Sequence, residues 1–318
     1  MRNIKNTEKF SGRLYDISKL AKKTVANTDS KSYGQEYIGG SVDIATDDDC
    51  LNVVTVNFTF VQPTYKSGKE NKSYAVLNKL LESGKTVVND GKDAATLVSV
   101  DGAIDVNDFY TQRNGEEVLV SAKRNAGSFI NIINKLPEDN RSIFECDMLI
   151  NGTQYVEADE EKHIDTDYLI VKGATFAYGG RLLPLEFIVK NIGGIKYFES
   201  LNASPDNLVF TKVWGTISSS TIVERREEES AFGEPSVKEI TRTRKEYVIT
   251  GTSRADAVYP IDDEKDGITK EEIKKAMADR EVYLAEVKQK ADEYQNSKNA
   301  GTASNVASAP AAQGGFTF

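Results

Sequence analysis

Aromatic and basic side chains are interspersed in two polar stretches of the first half of the chain. One stretch surrounds Gly68, and the other flanks the β-type run Glu117–Lys123. Aromatic rings can stack on unpaired nucleobases, while lysine and arginine side chains contact the phosphates between them. This mixture predicts a surface that binds single-stranded nucleic acid and carries out no reaction. The candidate contact residues are Tyr65, Lys66, Lys69, Lys72, Tyr74, Tyr110, Arg113, Lys123, Arg124 and Phe129.

The second half of the chain supplies fewer candidates of the same kind. They are Tyr178, Arg181, Trp214 and Arg225. Any one of the aromatic rings, taken alone, belongs more readily to a hydrophobic core, and Trp214 beside Gly215 on an apolar run is the most ambiguous. We expect Lys123 and Arg124 to contact phosphate, the alternative being that both face solvent.

Residues that could support catalysis or hold a metal are sparse. His163 is the only histidine and lies in an acidic stretch that reads as a surface loop. No CxxC, HExxH or P-loop pattern is present in the sequence. Asp47–Asp49 could bind a divalent cation, but they lack the ligand spacing of a calcium loop, so we expect a solvated turn. The sequence therefore predicts neither an enzyme nor a protein that needs a metal or cofactor.

Composition limits the kind of nucleic-acid binder that this chain can be. Its 318 residues carry a net charge of −9 with a pI near 5.0, which argues against general coating of phosphates. Basic residues collect locally, as in Lys66–Lys72 and Arg242–Lys245, so a basic groove remains compatible with that charge. Cys50 and Cys146 are expected to be reduced thiols. No window approaches the ~18 apolar residues of a membrane span, and we expect a cytoplasmic protein without membrane contact.

The candidate residues need a scaffold, and the pattern of the first half indicates an OB fold. Apolar alternation and glycine positions predict three strands, then a helix, then two more strands. The helix between the third and fourth strands is typical of the five-stranded OB barrel, whose end it closes. Asp101-Gly102 and Asn114-Gly115 are turn-type pairs. The expected strands are Phe10–Ile17, Tyr37–Thr46, Leu51–Val61, Leu97–Ile104 and Glu117–Lys123, with the helix at Ser73–Ser83.

The same order of elements recurs in the second half. The predicted fold is therefore mainly β, with two tandem OB-like five-stranded barrels, a C-terminal helix and a disordered tail. The expected divisions are residues 1–136, 142–260, 267–296 and 297–318. The second set of elements comprises strands at Ser142–Ile150, Tyr168–Tyr178, Leu182–Lys190, Leu208–Glu224 and Lys245–Ser253, with a short helix at Ile195–Leu201.

The C-terminal region combines a capped helix with a small, polar tail. Thr269 and Glu272 have the spacing of a capping box, and an apolar stripe that includes Met277 and Tyr294 follows. The tail ends in Phe316 and Phe318, whose expected use is to enter a pocket on another protein. Alternatively, the tip folds back over the nucleic-acid groove, or the terminus has no role.

Several stretches resemble the single-stranded-DNA-binding proteins encoded by tailed bacteriophages and prophages. They are KFSGRLYDISKL, YIGGSVDIA, VNFTF, YAVLNKLLESGKTV, VSVDGAIDVNDFY and LVSAKRN, which cover mainly residues 8–130. The resemblance implies a protein that coats DNA exposed in replication, recombination and repair, in the host cytoplasm and without catalysis. The main alternative is a phage structural or assembly protein built of β-barrel domains.

The tail resembles bacterial and phage binding proteins whose mobile segment ends in phenylalanine and docks on replication and repair enzymes. Those tips are strongly acidic, whereas GGFTF carries only the terminal carboxylate. The resemblance thus implies recruitment of partner proteins less directly than it implies DNA binding.

Overall fold

The computed structural model describes residues 2–113, 115–159, 164–177, 179–228 and 236–304. Of residues 220–228, 236–242 and 295–304 it describes the backbone alone. The strands of this described part are β1 (Asn6–Asp16), β2 (Ala21–Thr24), β3 (Glu36–Ala45), β4 (Val53–Val61), β5 (Leu97–Arg113), β6 (Glu116–Ile132), β7 (Ser142–Val156), β8 (Tyr168–Phe176), β9 (Leu182–Val189), β10 (Val209–Glu228) and β11 (Ser236–Thr252). Its helices are α1 (Lys72–Ser83), α2 (Val87–Asp90), α3 (Ile192–Ser200) and α4 (Lys270–Ser304).

Five strands of the first half close into a hydrogen-bonded ring, called here the N-terminal ring. β1 pairs with β3, β3 with β4, β5 with β6 and β5 with β1, all antiparallel. β4 pairs in parallel with β6 at Val56 and Asn125, and this pairing closes the ring. α1 is capped by Asn71 and buries Leu77 and Leu80 in the core. This connectivity is that of an OB barrel.

The second half repeats the arrangement in the C-terminal ring. β7, β8 and β9 pair in sequence, β9 pairs in parallel with β11, and β10 joins β11 to β7. α3 follows β9, is capped by Asn191 and buries Ile195 and Phe198. The prediction of a mainly β fold of OB type with a C-terminal helix is confirmed.

The two rings share one continuous core. β1 pairs antiparallel with β7, from Asn6 opposite Cys146 to Phe10 opposite Ser142. Within the C-terminal ring, the Phe144 and Phe187 rings stack with centroids 4.8 Å apart, and Tyr247 lies 6.0 Å from each. One cluster of buried residues contains members of both rings. The expected division into separate domains at residues 136 and 142 remains a prediction.

Two strand predictions need correction. Asp101-Gly102 is not a turn, because it lies inside β5 at a β-bulge opposite β6. A Cβ on Gly102 would lie 2.4 Å from the carbonyl oxygen of Ala126, so glycine permits a close strand approach there. β5 therefore continues to Arg113, which pairs with Glu116 across a two-residue turn that contains Gly115 at positive φ. Asn114 lies outside the described residues.

Helix α4 begins with the predicted capping box. The Glu272 amide donates to Thr269 Oγ1 at 3.2 Å, and the Thr269 amide donates to Glu272 Oε2 at 2.9 Å. Met277 and Tyr294 are exposed, so these two members of the predicted apolar stripe are not buried by the rest of the chain. The helix continues to Ser304, past the expected end at residue 296.

No helix among the described residues is long and apolar enough to cross a membrane. The end of the predicted tail, with Phe316 and Phe318, lies outside the described part of the chain.

Candidate nucleic-acid interface

A pair of aromatic rings lies at one end of the β3–β4 hairpin. The Tyr37 and Phe60 centroids are 4.6 Å apart with an interplanar angle of 42°. Along β4, Val54, Val56 and Phe58 alternate inward and are buried, whereas Phe60 is 45% exposed. The β3–β4 register shifts between Ile38 and Gly40, and this irregularity separates Phe60 from the buried part of the strand.

Two glycines make this arrangement possible. Gly40 has φ +144, and a Cβ there would lie 2.0 Å from the carbonyl oxygen of Lys19. At Gly39 a Cβ would lie 3.0 Å from the Tyr37 ring. Gly39 therefore leaves room for the Tyr37 ring beside the backbone, and Gly40 lets β3 approach the backbone of Lys19 closely.

Loops on either side of the hairpin add two exposed tyrosines, Tyr33 and Tyr65. The Gln62 side-chain amide donates to the Gln35 side-chain oxygen at 2.6 Å and ties the two loops together. Between the loops lies an open cavity of about 440 Å³, lined by Ser32, Gln35, Glu36, Gln62, Pro63, Thr64, Tyr65 and Lys66. We call Tyr33, Tyr37, Phe60 and Tyr65 the aromatic end of the N-terminal ring.

The predicted residues around Gly68 are split between surface and scaffold. Lys66, Lys69 and Lys72 are exposed, and none of them has an ion-pair partner among the described residues. Tyr74, in contrast, donates its hydroxyl hydrogen to the Glu36 carboxylate, and this bond raises the pKa of Tyr74 to about 12. Tyr74 also packs against the core. At this position Tyr74 connects α1 to β3. The position suits that contact better than it suits stacking of the Tyr74 ring on a nucleobase.

Lys123 lies between the two rings, at the edge of an open cavity of about 430 Å³ that Lys172 and Glu186 also line. Its ammonium donates to the carbonyl oxygen of Glu186 and lies 4.6 Å from the Tyr247 centroid and 5.4 Å from the Phe187 centroid. Burial lowers the pKa of Lys123 to about 8. This position does not suit contact with a phosphate.

Arg124 and Arg181 contact the same carboxylate from opposite rings. Arg124 on β6 reaches Asp105 with Nη2 at 2.6 Å and Nε at 3.0 Å, and Arg181 beside β9 contacts the other oxygen. Both guanidiniums are about one-third exposed. Their main contact is therefore an ion-pair bridge between the rings.

The remaining candidates occupy varied positions. Tyr110 is half-buried with Lys288 of α4 at 5.3 Å from its ring centroid, whereas Arg113 is exposed at the tip of the β5–β6 hairpin. Phe129 on β6 and Trp214 on β10 are exposed. Tyr178 lies outside the described residues, and Arg225 is placed in β10 without a described side chain.

Comparison with known proteins identifies the family. A sequence model described as YorF matches residues 5–290. The chain belongs to the YorF family. No curated protein matches it.

Two solved structures align with this YorF-family chain over most of its length. Wild-type single-stranded DNA binding protein from Thermus aquaticus aligns with TM-score 0.45 and 10% identity over 80% of this chain and 94% of that chain. A deletion mutant of the same protein aligns with TM-score 0.43 and 10% identity over 82% and 96%.

The YorF-family chain has, within its described residues, no group of three or more histidine, cysteine or acidic side chains arranged to hold a metal. Asp47 accepts hydrogen bonds from the amides of Leu51 and Asn52, and Asp48 pairs with Arg141 and Arg13. These contacts stabilise the turn between β3 and β4. His163 lies outside the described residues.

Sequence reasoning missed Tyr33, Tyr37 and Phe60. Tyr37 and Phe60 lie in runs whose pattern predicts only strands. The signal available was Gly39-Gly40, since paired glycines in a strand often mark a bulge that redirects neighbouring side chains.

Proposed function

We propose that this chain binds single-stranded DNA without sequence specificity and coats it during phage DNA replication, recombination and repair, without catalysis. The carrying observation is the aromatic end of the N-terminal ring. β3 and β4 are the second and third strands of that ring, and in OB folds these strands and the adjoining loops bind oligonucleotides.

The chemistry of the aromatic end supports this proposal. Tyr37, Phe60 and Tyr65 present ring surface to solvent. Stacking is worth ~1–3 kcal/mol per base, and it tolerates any sequence because every base has a π-face. The exposed lysines Lys66 and Lys69 lie in the same loop as Tyr65, where they can meet the phosphates between stacked bases.

The net charge of −9 shapes how such binding must work. An acidic protein repels DNA at most of its surface, so affinity must come from stacking plus a few local cations. The salt dependence of binding is then shallow, because few counterions are released.

The test is competition between DNA forms. Fluorescence anisotropy of labelled oligo-dT is titrated with the protein, and unlabelled oligo-dA, oligo-dT or duplex of equal length is added. The proposal expects both single strands to compete and the duplex to compete at least about tenfold less well, since paired bases cannot stack on protein rings. Equal competition by duplex would reject it. No binding to any DNA would favour an assembly role instead.

The tail carries a further part of the proposal. Phe316 and Phe318 dock on replication or recombination proteins in the host cytoplasm. Deleting residues 314–318 should abolish capture of such a partner and leave oligo-dT affinity unchanged. Tighter DNA binding after the deletion would instead indicate that the tip covers the DNA groove, and no change in either measurement would show that the tip has no role.

A further inference from the structure

Trp214, the only tryptophan of the chain, lies where β10 meets a bulge in β11. Trp214 pairs with Gly251, but the next residue, Gly215, pairs with Ile249, so Thr250 is the extra residue of β11. On its other side Trp214 is opposite Glu145 of β7. Bulges of this kind redirect side chains, and 39% of Trp214 remains exposed.

The Trp214 indole lies against the backbone of Gly251. A Cβ on Gly251 would lie 2.4 Å from Cε2 and Nε1 of the Trp214 ring. Only glycine at position 251 therefore lets the ring lie against the β11 backbone. A large apolar ring held against backbone on one side and open to solvent on the other is a suitable stacking surface for a planar ligand.

Positive charge accompanies the ring. The Lys212 ammonium lies 5.7 Å from the Trp214 centroid. Lys212 and Lys5 both pair with Glu145, at 3.2 Å and 2.9 Å, so two cations share one carboxylate. The surface beside the indole is thus left with a net positive charge, which suits a phosphate next to a stacked base.

We propose that Trp214, with Lys212 and Lys5, forms a second single-strand contact, separate from the aromatic end on β3 and β4. A nucleobase stacks on the indole, and the adjacent phosphate contacts the two lysines. This inference rests on the proposed function and adds that each chain binds the strand at two places. Binding at two linked sites raises affinity only when the strand is long enough to reach both.

The single tryptophan provides the test. Full-length protein is titrated with oligo-dT of increasing length, and anisotropy of labelled DNA is recorded with tryptophan emission and its quenching by acrylamide. Long oligonucleotides should quench Trp214 and protect it from acrylamide, whereas the shortest ones that bind should not. Trp214→Ala should weaken binding of long oligonucleotides by about 5- to 150-fold, the effect of one stacked base, and leave the shortest unaffected.

Two variants serve as controls. Trp214→Phe keeps a ring and should retain part of the length-dependent gain, and Tyr155→Ala removes a comparably exposed ring, 46% against 39%, from another strand of the same ring. Binding of long oligonucleotides with unchanged tryptophan emission, and with equal affinity in Trp214→Ala, would overturn the second contact while the proposed function stands. Absence of any anisotropy change would overturn the proposed function, and the second contact with it.

Discussion

The ammonium group of Lys123 lies 4.6 Å from the centre of the Tyr247 ring, across the junction between the two strand rings. Tyr247 in turn donates its hydroxyl hydrogen to the side-chain oxygen of Asn125, two residues along β6. Residues of β6 and β11 that are far apart in sequence thus join the two rings here. The aromatic end, which we propose as the DNA-binding surface, lies instead on β3, β4 and the adjoining loops.

Replacing Lys123 should leave DNA binding almost unchanged. Lys123→Met should keep the salt dependence of oligo-dT affinity at the wild-type slope, because its ammonium contacts Glu186 and two rings. The matched variant Lys66→Ala/Lys69→Ala should flatten that slope by about 1–2 units, roughly one per lost phosphate contact. Anisotropy titrations at several salt concentrations measure both, and a flattened slope in Lys123→Met would place that residue on the DNA.

The lowered pKa of Lys123 should also make the free energy of unfolding depend on pH. Its folded pKa of about 8 is below the ordinary 10.5, because burial disfavours the charged form. Between these values the unfolded chain binds more protons, so the free energy of unfolding should rise with pH across that window. Urea unfolding at pH 8 and pH 10 should show a smaller rise in Lys123→Met than in wild type. An equal rise in the free energy of unfolding in both proteins would show that burial does not lower the pKa of Lys123.

Glu8 on β1 should limit stability at neutral pH. It is 1% exposed, both carboxylate oxygens lack a hydrogen-bond partner among the described residues, and burial followed by the charge of Asp105 raises its pKa well above 4.5. Because the pKa of Glu8 is raised in the folded state, its contribution to the free energy of unfolding is fully present below pH ~4.5. That contribution is lost as the pH rises through the pKa of Glu8 in the folded state.

Glu8→Gln should therefore be more stable than wild type at pH 7, and the difference should shrink as pH falls towards 4.5. Glu138→Gln, an exposed carboxylate on the surface, is the control and should match wild type throughout. Denaturant unfolding at several pH values makes the comparison. A Glu8→Gln variant whose pH profile parallels that of wild type would show that Glu8 is charged in the folded protein.

An ion pair buried beneath α4 should be important for stability. Arg280 contacts Asp108 with Nη2 at 2.8 Å and Nη1 at 3.3 Å, and the two side chains are 11% and 0% exposed. Asp108→Ala leaves the guanidinium buried without its carboxylate, which typically costs ~3–5 kcal/mol. Lys288→Ala removes a more exposed pair with Glu117 and should cost ~0–1 kcal/mol. Equal losses in the two variants, measured by urea unfolding, would be inconsistent with the buried contact.

The order of strands and helices could be predicted because it depends on local patterns. The alternation in Leu51–Val61 and the helical spacing in Ser73–Ser83 are visible without knowledge of distant residues. The length of β5 could not be predicted in this way. Its second part, residues 105–113, is polar enough to resemble a loop, and it forms a strand because β6 pairs with it as far as Arg113.

The candidate site was predicted less well, for a physical reason. The contacts of Lys123 with Glu186 and Tyr247 join residues more than fifty positions apart, so no local pattern shows that this cation is occupied. The exposure of Phe60 could not be predicted for a different reason. Its strand alternates inward up to Phe58, and only the bulge opposite Gly39-Gly40 leaves the next ring exposed.

The affinity of a Tyr37→Ala/Phe60→Ala variant for oligo-dT tests the central claim most directly. Circular dichroism and thermal unfolding should first show that the variant folds, and Tyr155→Ala serves as a ring-removal control on the C-terminal ring. We expect at least about tenfold weaker binding in the double variant, since each stacked base is worth ~1–3 kcal/mol, and wild-type affinity in the control. A folded double variant that binds oligo-dT as tightly as wild type would contradict the assignment of the aromatic end as the DNA-binding surface.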